Sequence, residues 1–441
     1  MFFHLLYAYP VTPKLFLWLF CDVGYSAYFR SGIGFWLLAF SCWLLAFSST
    51  LYTLHNMTTL FFELLQIAIG VAGASSQPSP EGKGGIHPEG SKSFPLGEDL
   101  GEAQWRELYR MAQKQTLVGV LFAAIERLPQ EQRPPKEVLL QWFMMKERIV
   151  KMNRLLNQRA VETEAYFRAE GFSNCILKGQ GIATLYPDPL LRTPGDIDIW
   201  LGGGREKIYD FARDRVGLQG LTYQHIHYPL HKDVEVEVHT TPGFLYAPLA
   251  NRRLQRYFAA CAEEQFTHEV ALPGGVGSIS VPTDEFNRVY ILLHIYMHLF
   301  GEGIGLRQVL DYYYVLRQPA TAESRERTVA TLRQLRMLRF ARAMMWVQQQ
   351  VFGLEEEYLL VEPDEREGRF LLSEIMLAGN FGKYDARIDR TNHHKLVPRV
   401  WNSVKRGWKF FVHYPHEMVW NVPFRAWQYV WSAVKLLAVS F

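Results

Sequence analysis

The residues with the most chemistry to offer lie between Leu177 and Leu201, in the run LKGQGIATLYPDPLLRTPGDIDIWL. Its last part, Asp196 to Leu201, reads as a β-strand. Side chains two apart on a strand share a face, so Asp196 and Asp198 project side by side while Ile197 and Ile199 turn into a core. Two adjacent carboxylates repel each other, and the commonest way to keep both ionised in a cleft is a divalent cation between them. Oxygen-only ligands of this kind suit Mg²⁺ or Mn²⁺. A second strand, Asp233-Val-Glu-Val-Glu-Val-His239, alternates without a break, with Glu235, Glu237 and His239 on one face and valines on the other. Taken alone it reads as an edge strand with a solvated acidic face. Beside an Asp-x-Asp strand it supplies the third carboxylate.

These strands need elements to hold them. Asn174 to Leu177, Asp196 to Leu201, Asp233 to His239 and Gly277 to Val281 are short, strand-like and separated by Gly and Pro turns, with a helix from Arg205 to Val216 among them. Upstream, Trp105, Leu108, Met111, Ala112, Leu117, Val120, Leu121 and Ala124 recur at threes and fours, which is the helical period over Glu102 to Leu128. A long helix follows Pro134 and Pro135 and runs towards Glu170, with Gly171 as its stop. Helical periodicity resumes at Thr283 and persists, with breaks, to the end. The expected fold class is α+β: an α/β core over 171–282, a helical segment over 99–170 before it, and a helical domain over 283–386 after it.

The chain has 441 residues, 49% hydrophobic and 21% charged, a balance that excludes a wholly disordered or collagen-like protein. A net charge of +3 gives no global case for a nucleic-acid partner. Cys21, Cys42, Cys175 and Cys261 lie far apart with no CxxC pair, which excludes a disulfide scaffold and a cysteine-rich zinc site. From Met1 to Asn56 the only formal charges are Lys14, Asp22 and Arg30, among 16 aromatic residues. Gly34 to Leu54 is uncharged and matches the roughly 20 residues that span a bilayer. A secretory signal fits poorly, because no positive region precedes the apolar run and Pro10 and Pro13 interrupt its start. The expectation is that synthesis begins at Met57, where MTTLFFELLQIAIG opens an amphipathic helix (57–73), and that residues 1–56 are not part of the working protein. The Gly/Ser/Pro-rich stretch 74–98 reads as a mobile linker. The segment 387–441 carries nine Lys or Arg against Asp389 and Glu417.

The run from Lys178 through Ile199, followed by Glu237-Val-His239, resembles the uncharacterised nucleotidyltransferase family within the polymerase-beta-type superfamily. That superfamily has a strand and helix start with Gly-Gly or Gly-Ser, then an Asp-x-Asp or Asp-x-Glu strand, then a third acidic residue on a neighbouring strand. Gly179 and Gln180 match the first element, Asp196 and Asp198 the second, Glu237 the third. The LFFELLQIAIG opening, the Trp-x-x-Leu-Tyr helix and the Pro-x-Glu tail extend the likeness over most of 57–441, and residues 1–56 are outside it. Gln180 stands where the family has a small residue, and the spacing from Gly179 to Asp196 is longer than usual.

The resemblance implies a nucleotidyltransferase-like core with a mixed sheet. It implies in-line attack of an acceptor oxygen on the α-phosphate of a nucleoside triphosphate such as ATP, with pyrophosphate leaving and two metal ions about 3.5 to 4 Å apart. Asp196, Asp198 and Glu237 would be the catalytic and metal-binding residues for Mg²⁺ (or Mn²⁺), with Glu235 in reserve. Lys178, Gly179, Gln180 and Arg192 would bind the nucleotide, Lys178 as a point charge on the β- and γ-phosphates and Arg192 through a bidentate contact. The acceptor, whether small molecule, sugar or protein, is unidentified. The expected location is cytoplasmic, or membrane-associated if residues 1–56 are translated.

His294 and His298 are four apart and share a helical face, as do Arg307 and Asp311. HxxxH without the Glu of a zinc protease is a weak metal signal, and core or hydrogen-bonded histidines are the plainer reading. This segment also resembles the family's second domain, which makes His298 and Arg307 secondary candidates for acceptor or phosphate contacts. His239 either orients Glu237 or caps its strand. In the tail, Trp401, Trp408, Trp420, Trp427 and Trp431 are expected to pack onto the helical body while Lys405, Arg406 and Lys409 stay solvated. Two other functions compete: a catalytically inactive relative that binds a nucleotide or an anionic sugar, and a membrane-associated adaptor working through residues 1–56 or the basic tail.

Overall fold

The computed structural model of the chain describes residues 56–71, 100–385, 387 and 407–437. The apolar run Gly34–Leu54, the linker stretch 74–98 and Trp401, Lys405 and Arg406 fall outside them. The fold is α+β, mostly helical with a small mixed sheet. Among the described residues no helix is long and apolar enough to cross a membrane.

Helix α1 (56–69) turns Phe61, Leu64, Leu65 and Ala68 inward. The single helical run expected over Glu102 to Leu128 is two helices, α2 (Glu102–Gln115) and α3 (Val118–Arg127). They are split at Thr116, which sits in the left-handed region at φ 56°. A β-branched residue there costs roughly 1–2 kcal/mol locally, and distant partners hold the corner. The Thr193 hydroxyl donates to the Thr116 carbonyl at 2.7 Å, and the Gln115 side-chain oxygen accepts from the Leu306 amide at 2.8 Å.

Pro135 leads into α4 (Lys136–Ala169), 34 residues and therefore about 50 Å long. Its first half buries Val138, Trp142 and Ile149 in the larger, mainly helical core, which also takes in Cys175, Leu177 and Trp200 from the sheet, and its second half buries Leu156, Ala160 and Phe167 against the other sheet face. One straight element thus fixes the two cores relative to each other.

The sheet has strands β1 (Asn174–Leu177), β2 (Ile197–Leu201), β3 (His225–His227) and β4 (Val236–His239) in the order β1-β2-β4-β3. β2 and β4 are parallel; β1 pairs antiparallel with β2 and β3 antiparallel with β4. Helix α5 (Gly179–Ala183) follows β1 and α6 (Arg205–Val216) follows β2. Strand alternation sorts the side chains. Ile176, Ile197, Ile199, Ile226, Val236 and Val238 pack under α4 and α6, and the other face carries Leu177, Asp198, Trp200, Glu237, His239, His225 and His227, matched by register. A two-stranded ribbon of β5 (Glu269–Ala271) and β6 (Ser278–Ser280) follows α7 (Pro248–Thr267).

The second face of the sheet looks towards helices α8 (Asp284–Gly301) and α9 (Leu306–Leu316). α10 (Ala322–Gln334), α11 (Leu338–Phe352) and α12 (Glu365–Ala378) complete the helical body. After a short helix α13 (407–411), α14 (Pro415–Leu437) returns to the sheet side, where Trp431 meets Tyr209. The tail is anchored differently from the sequence expectation. Phe410, Tyr414 and Met418 fill the core, whereas Trp408, Trp420 and Trp427 are exposed. Lys409, 36% exposed, is also paired with the buried Glu374. The Glu417 carboxylate accepts from the Tyr246 and Ala247 amides, and burial pushes its carboxyl up to about 7.

Candidate active site

The β1–α5 connection is tight. Lys178 adopts φ 52° and ψ −132°, a conformation that non-glycine residues rarely hold, and Gly179 follows at φ 38°. This bend throws the Lys178 side chain across β2, where its ammonium lies 2.9 Å from Asp198 Oδ2. The other oxygen of Asp198, Oδ1, meets Nε2 of the buried His239 at 2.8 Å. Register makes Glu237 the direct partner of Asp198 across the parallel pair, and Glu237 faces His225 Nδ1 at 3.0 Å, with His239 Nε2 3.6 Å away.

Asp196 stands one residue before β2. The loop that delivers it is clamped from three sides. Asn153 of α4 donates to the Leu190 and Arg192 carbonyls, Thr193 bonds to the α2–α3 corner, and Arg307 of α9 donates to the Thr193 carbonyl at 2.9 Å. Asp196 reaches the solvent of the cleft but stands among its walls. The charge of Asp198, and then burial, push its carboxyl up to about 6.

The neighbouring groups go the other way. Burial works against ionising Asp198, but Lys178 and His239 outweigh it and hold the carboxyl below its ordinary range. Burial also opposes ionisation of Glu237, and His225 and His239 hold it far down. Burial alone would neutralise His239; its bonds to Asp198 and Glu237 instead raise it to about 9. The site is therefore a charge-balanced cluster in which Asp196 is the one carboxylate without a tight cationic partner among the described residues.

These groups line a cleft of about 270 Å³ that also takes in Gly179, Gln224, Arg192, His294, His298, Arg307, Gln308 and Asp311. A second cavity of about 360 Å³, lined by Phe122, Leu139 and Phe143 among others, contains none of the sheet's carboxylates or histidines. On the helical wall, burial and the nearby Lys178 charge lower His298 to about 4 and His294 well below the ordinary value, so both imidazoles are neutral at pH 7.

The structure sorts the sequence candidates. It brings Asp196, Asp198, Glu237, Lys178, Gly179, His298 and Arg307 to one cleft, with His239 buried behind Asp198. Gln180 is turned away: its amide donates to the buried Asn157 on α4. The position where only a small residue fits is Gly181, where an added Cβ would lie 2.7 Å from Val281 Cγ1. Arg192 lines the cleft, but its guanidinium is spent in a buried bidentate pair with Asp311 at 2.7 and 2.8 Å, an acceptor that also takes the Tyr186 hydroxyl at 2.7 Å. Removing it from that pair to grip a phosphate would strand a buried carboxylate. Arg307 is the better-placed cation. It has no carboxylate partner among the described residues, and its Nε is buried without a hydrogen bond. Glu235 sits at the exposed end of its strand, paired with His227 Nδ1 at 2.6 Å. His225 and His227 went unflagged in the sequence, because a strand of three residues is too short for its alternation to stand out.

The ligand atoms of Asp198, Glu237 and His239 lie within 4.8 Å of one another, so the two carboxylates can share one cation, and His239 could join them only on giving up its proton. The oxygen-rich chemistry of the two carboxylates, with Asp196 alongside, fits Mg²⁺ or Mn²⁺. No curated protein and no solved structure matches the chain. A family model described as an uncharacterised nucleotidyltransferase matches residues 101–353, which run from the start of α2 to the end of α11 and include the whole sheet and the cleft. The chain belongs to this family of uncharacterised nucleotidyltransferases.

Proposed function

We propose that the cleft moves a nucleoside monophosphate from a nucleoside triphosphate to an acceptor hydroxyl. The acceptor oxygen forms the new bond to the α-phosphorus, the bond to the β-phosphate oxygen breaks, pyrophosphate leaves, and the acceptor proton passes to a cleft carboxylate. The observation that carries this reading is the pairing of Asp198 with Glu237 across parallel strands, with Asp196 on the cleft side of the same strand end. Asp196, Asp198 and Glu237 would hold Mg²⁺ or Mn²⁺, which when bound screens the carboxylates from one another and polarises phosphate oxygens. Lys178 on the sheet side and Arg307 on the helical wall supply positive charge for phosphate, and the neutral His294 and His298, on the same wall as Arg307, line the cleft for an acceptor. A cytoplasmic setting, where ATP and Mg²⁺ are abundant, suits this chemistry.

One observation favours a second reading, a relative that binds without turnover: both oxygens of Asp198 are already engaged, by Lys178 and His239. Label transfer separates the two. Nucleotides labelled at the α-phosphate, supplied with Mg²⁺ and a desalted extract plus its small-molecule fraction as acceptors, should yield labelled product and free pyrophosphate with the wild-type chain and neither with Asp196→Asn. A chain that binds nucleotide but releases no pyrophosphate under these conditions would overturn the transferase reading in favour of the binding one.

A further inference from the structure

We propose that the edge of the sheet beside the carboxylate cluster is a separate metal site, built by His225 and His227 of β3 and Glu237 of β4, that takes a transition-metal ion of the Zn²⁺ class. Strand alternation puts both imidazoles on one face, and the antiparallel register sets His227 opposite Glu237 and His225 opposite His239. Each oxygen of Glu237 then faces its own ring: Oε2 lies 3.0 Å from His225 Nδ1 and Oε1 lies 3.7 Å from His227 Nε2. The three donor atoms fall within 4.8 Å of one another. Donors around a tetrahedral Zn²⁺ with bonds of about 2.0–2.2 Å stand roughly 3.4 Å apart, so this spacing needs little adjustment.

The tautomers point the same way. The Glu235 carboxylate lies 2.6 Å from Nδ1 of His227 and fixes the proton there. Nε2 is then the nitrogen left facing a Glu237 oxygen, 3.7 Å away, a gap that a bound cation would bridge. A carboxylate behind a histidine is the usual orienting device of a metal-bound imidazole. His225 Nδ1 approaches Glu237 without the alignment of a hydrogen bond and has no other partner. Two imidazole nitrogens and one carboxylate are a softer set than the oxygen-rich cluster around Asp196 and Asp198. They select Zn²⁺ or Co²⁺ over Mg²⁺. The side chains of His225, His227 and Glu237 are 15%, 40% and 16% exposed, so three protein ligands leave a coordination position open to solvent. The site does not rest on nucleotidyl transfer. It shares Glu237 with the proposed Mg²⁺ site, and the two are told apart by donor set.

The test is titration of the full chain with Co²⁺ in excess Mg²⁺, read by visible d–d absorption, with Zn²⁺ as competitor and no nucleotide present. One equivalent of Co²⁺ should bind and be displaced by Zn²⁺. His227→Ala and His225→Ala should each weaken binding at least a hundredfold. Glu235→Gln should weaken it by about tenfold, as loss of an orienting carboxylate does, and Asp196→Asn should leave it within a factor of three. His227 is half-exposed, so its variant is expected to fold, and circular dichroism verifies this. Failure of the folded wild-type chain to bind Co²⁺ or Zn²⁺, or equal binding by the His227→Ala variant, would overturn the proposal. Co²⁺ binding by a chain that ignores every nucleotide would sink the transferase reading and leave this one standing.

Discussion

Asp198 and Glu237 are direct register partners on the parallel strands β2 and β4, so the spacing between the two carboxylates is set by the sheet itself and not by a loop. Neighbouring strands lie about 4.8 Å apart, which brings the two carboxylates within reach of a common cation. Lys178 from the β1–α5 bend and His239 from the end of β4 balance the charge this creates.

Asp196→Asn should separate function from stability. Asp196 has no ion-pair partner among the described residues, and the Asp198 charge and burial oppose its ionisation, so removing its charge should leave stability at pH 7 unchanged or raised and not lowered. Urea denaturation measures this, alongside the metal and nucleotide titrations.

His239 makes a pH prediction. Its folded value of about 9 stands above the ordinary value of 6.5. The stabilisation from its protonated bonds to Asp198 and Glu237 is then fully present below pH 6.5 and is lost as pH rises through 9. Asp198 and Glu237 are shifted down, so their share is present above the ordinary carboxylate range and fades as the solution is acidified through their folded values. Stability measured from pH 6 to pH 10 should therefore fall at the alkaline end, and His239→Gln should flatten that fall while lowering stability at pH 6.

The two arginines of the cleft should behave differently. Asp311→Ala strands Arg192 in a buried site and should cost about 3–5 kcal/mol of stability. Arg307→Gln retains a donor for the Thr193 carbonyl but removes the charge. It should weaken nucleotide binding by about tenfold or more, the worth of one charged hydrogen bond at about 1.5–3 kcal/mol. Thermal denaturation and nucleotide titration of both variants decide between them. Equal loss of nucleotide affinity from Arg192→Lys with unchanged stability would restore Arg192 as the phosphate ligand.

Gly181→Ala should destabilise by about 1–3 kcal/mol, because its Cβ meets Val281 at 2.7 Å in a packed core. Combining it with Val281→Ala makes room for the methyl group, so the double variant should be more stable than the sum of the two single changes. Additive losses in the cycle would show that the contact is not the cause.

The parts of this site that could be read from the sequence are those governed by local period. The long helix ending at Ala169, the helix Arg205–Val216 and the cores of the two acidic strands follow from alternation, spacing and stop residues, although the strands are shorter than expected, Ile197–Leu201 and Val236–His239, and leave Asp196 and Glu235 just outside them. What escaped depends on partners far along the chain. Arg192 finds Asp311 119 residues away, and Gln180 finds Asn157 on α4. Thr116 breaks a continuous helical pattern because Thr193 and Leu306 hold its corner. The strands His225–His227 and Glu269–Ala271 are three residues each, too short to show a period of two above the background. In α7, the fourfold spacing of Ala250, Leu254 and Phe258 carries a helical signal within a stretch dominated by strand and turn patterns. In the tail composition is a partial guide: Trp431 packs on Tyr209 and Trp427 on Tyr223, while Trp408 and Trp420 are exposed and Phe410, Tyr414 and Met418 fill the core.

The most direct measurement is equilibrium binding of ATP, GTP, CTP and UTP to the full chain, each with Mg²⁺ and with chelator, for the wild type and Asp196→Asn. At least one nucleotide should bind the wild type in the presence of Mg²⁺, lose affinity at least tenfold with chelator, and lose it to the same degree in the variant. A folded wild-type chain that binds none of the four, or binds them equally with chelator and in Asp196→Asn, would contradict the assignment of Asp196, Asp198 and Glu237 to a metal–nucleotide site.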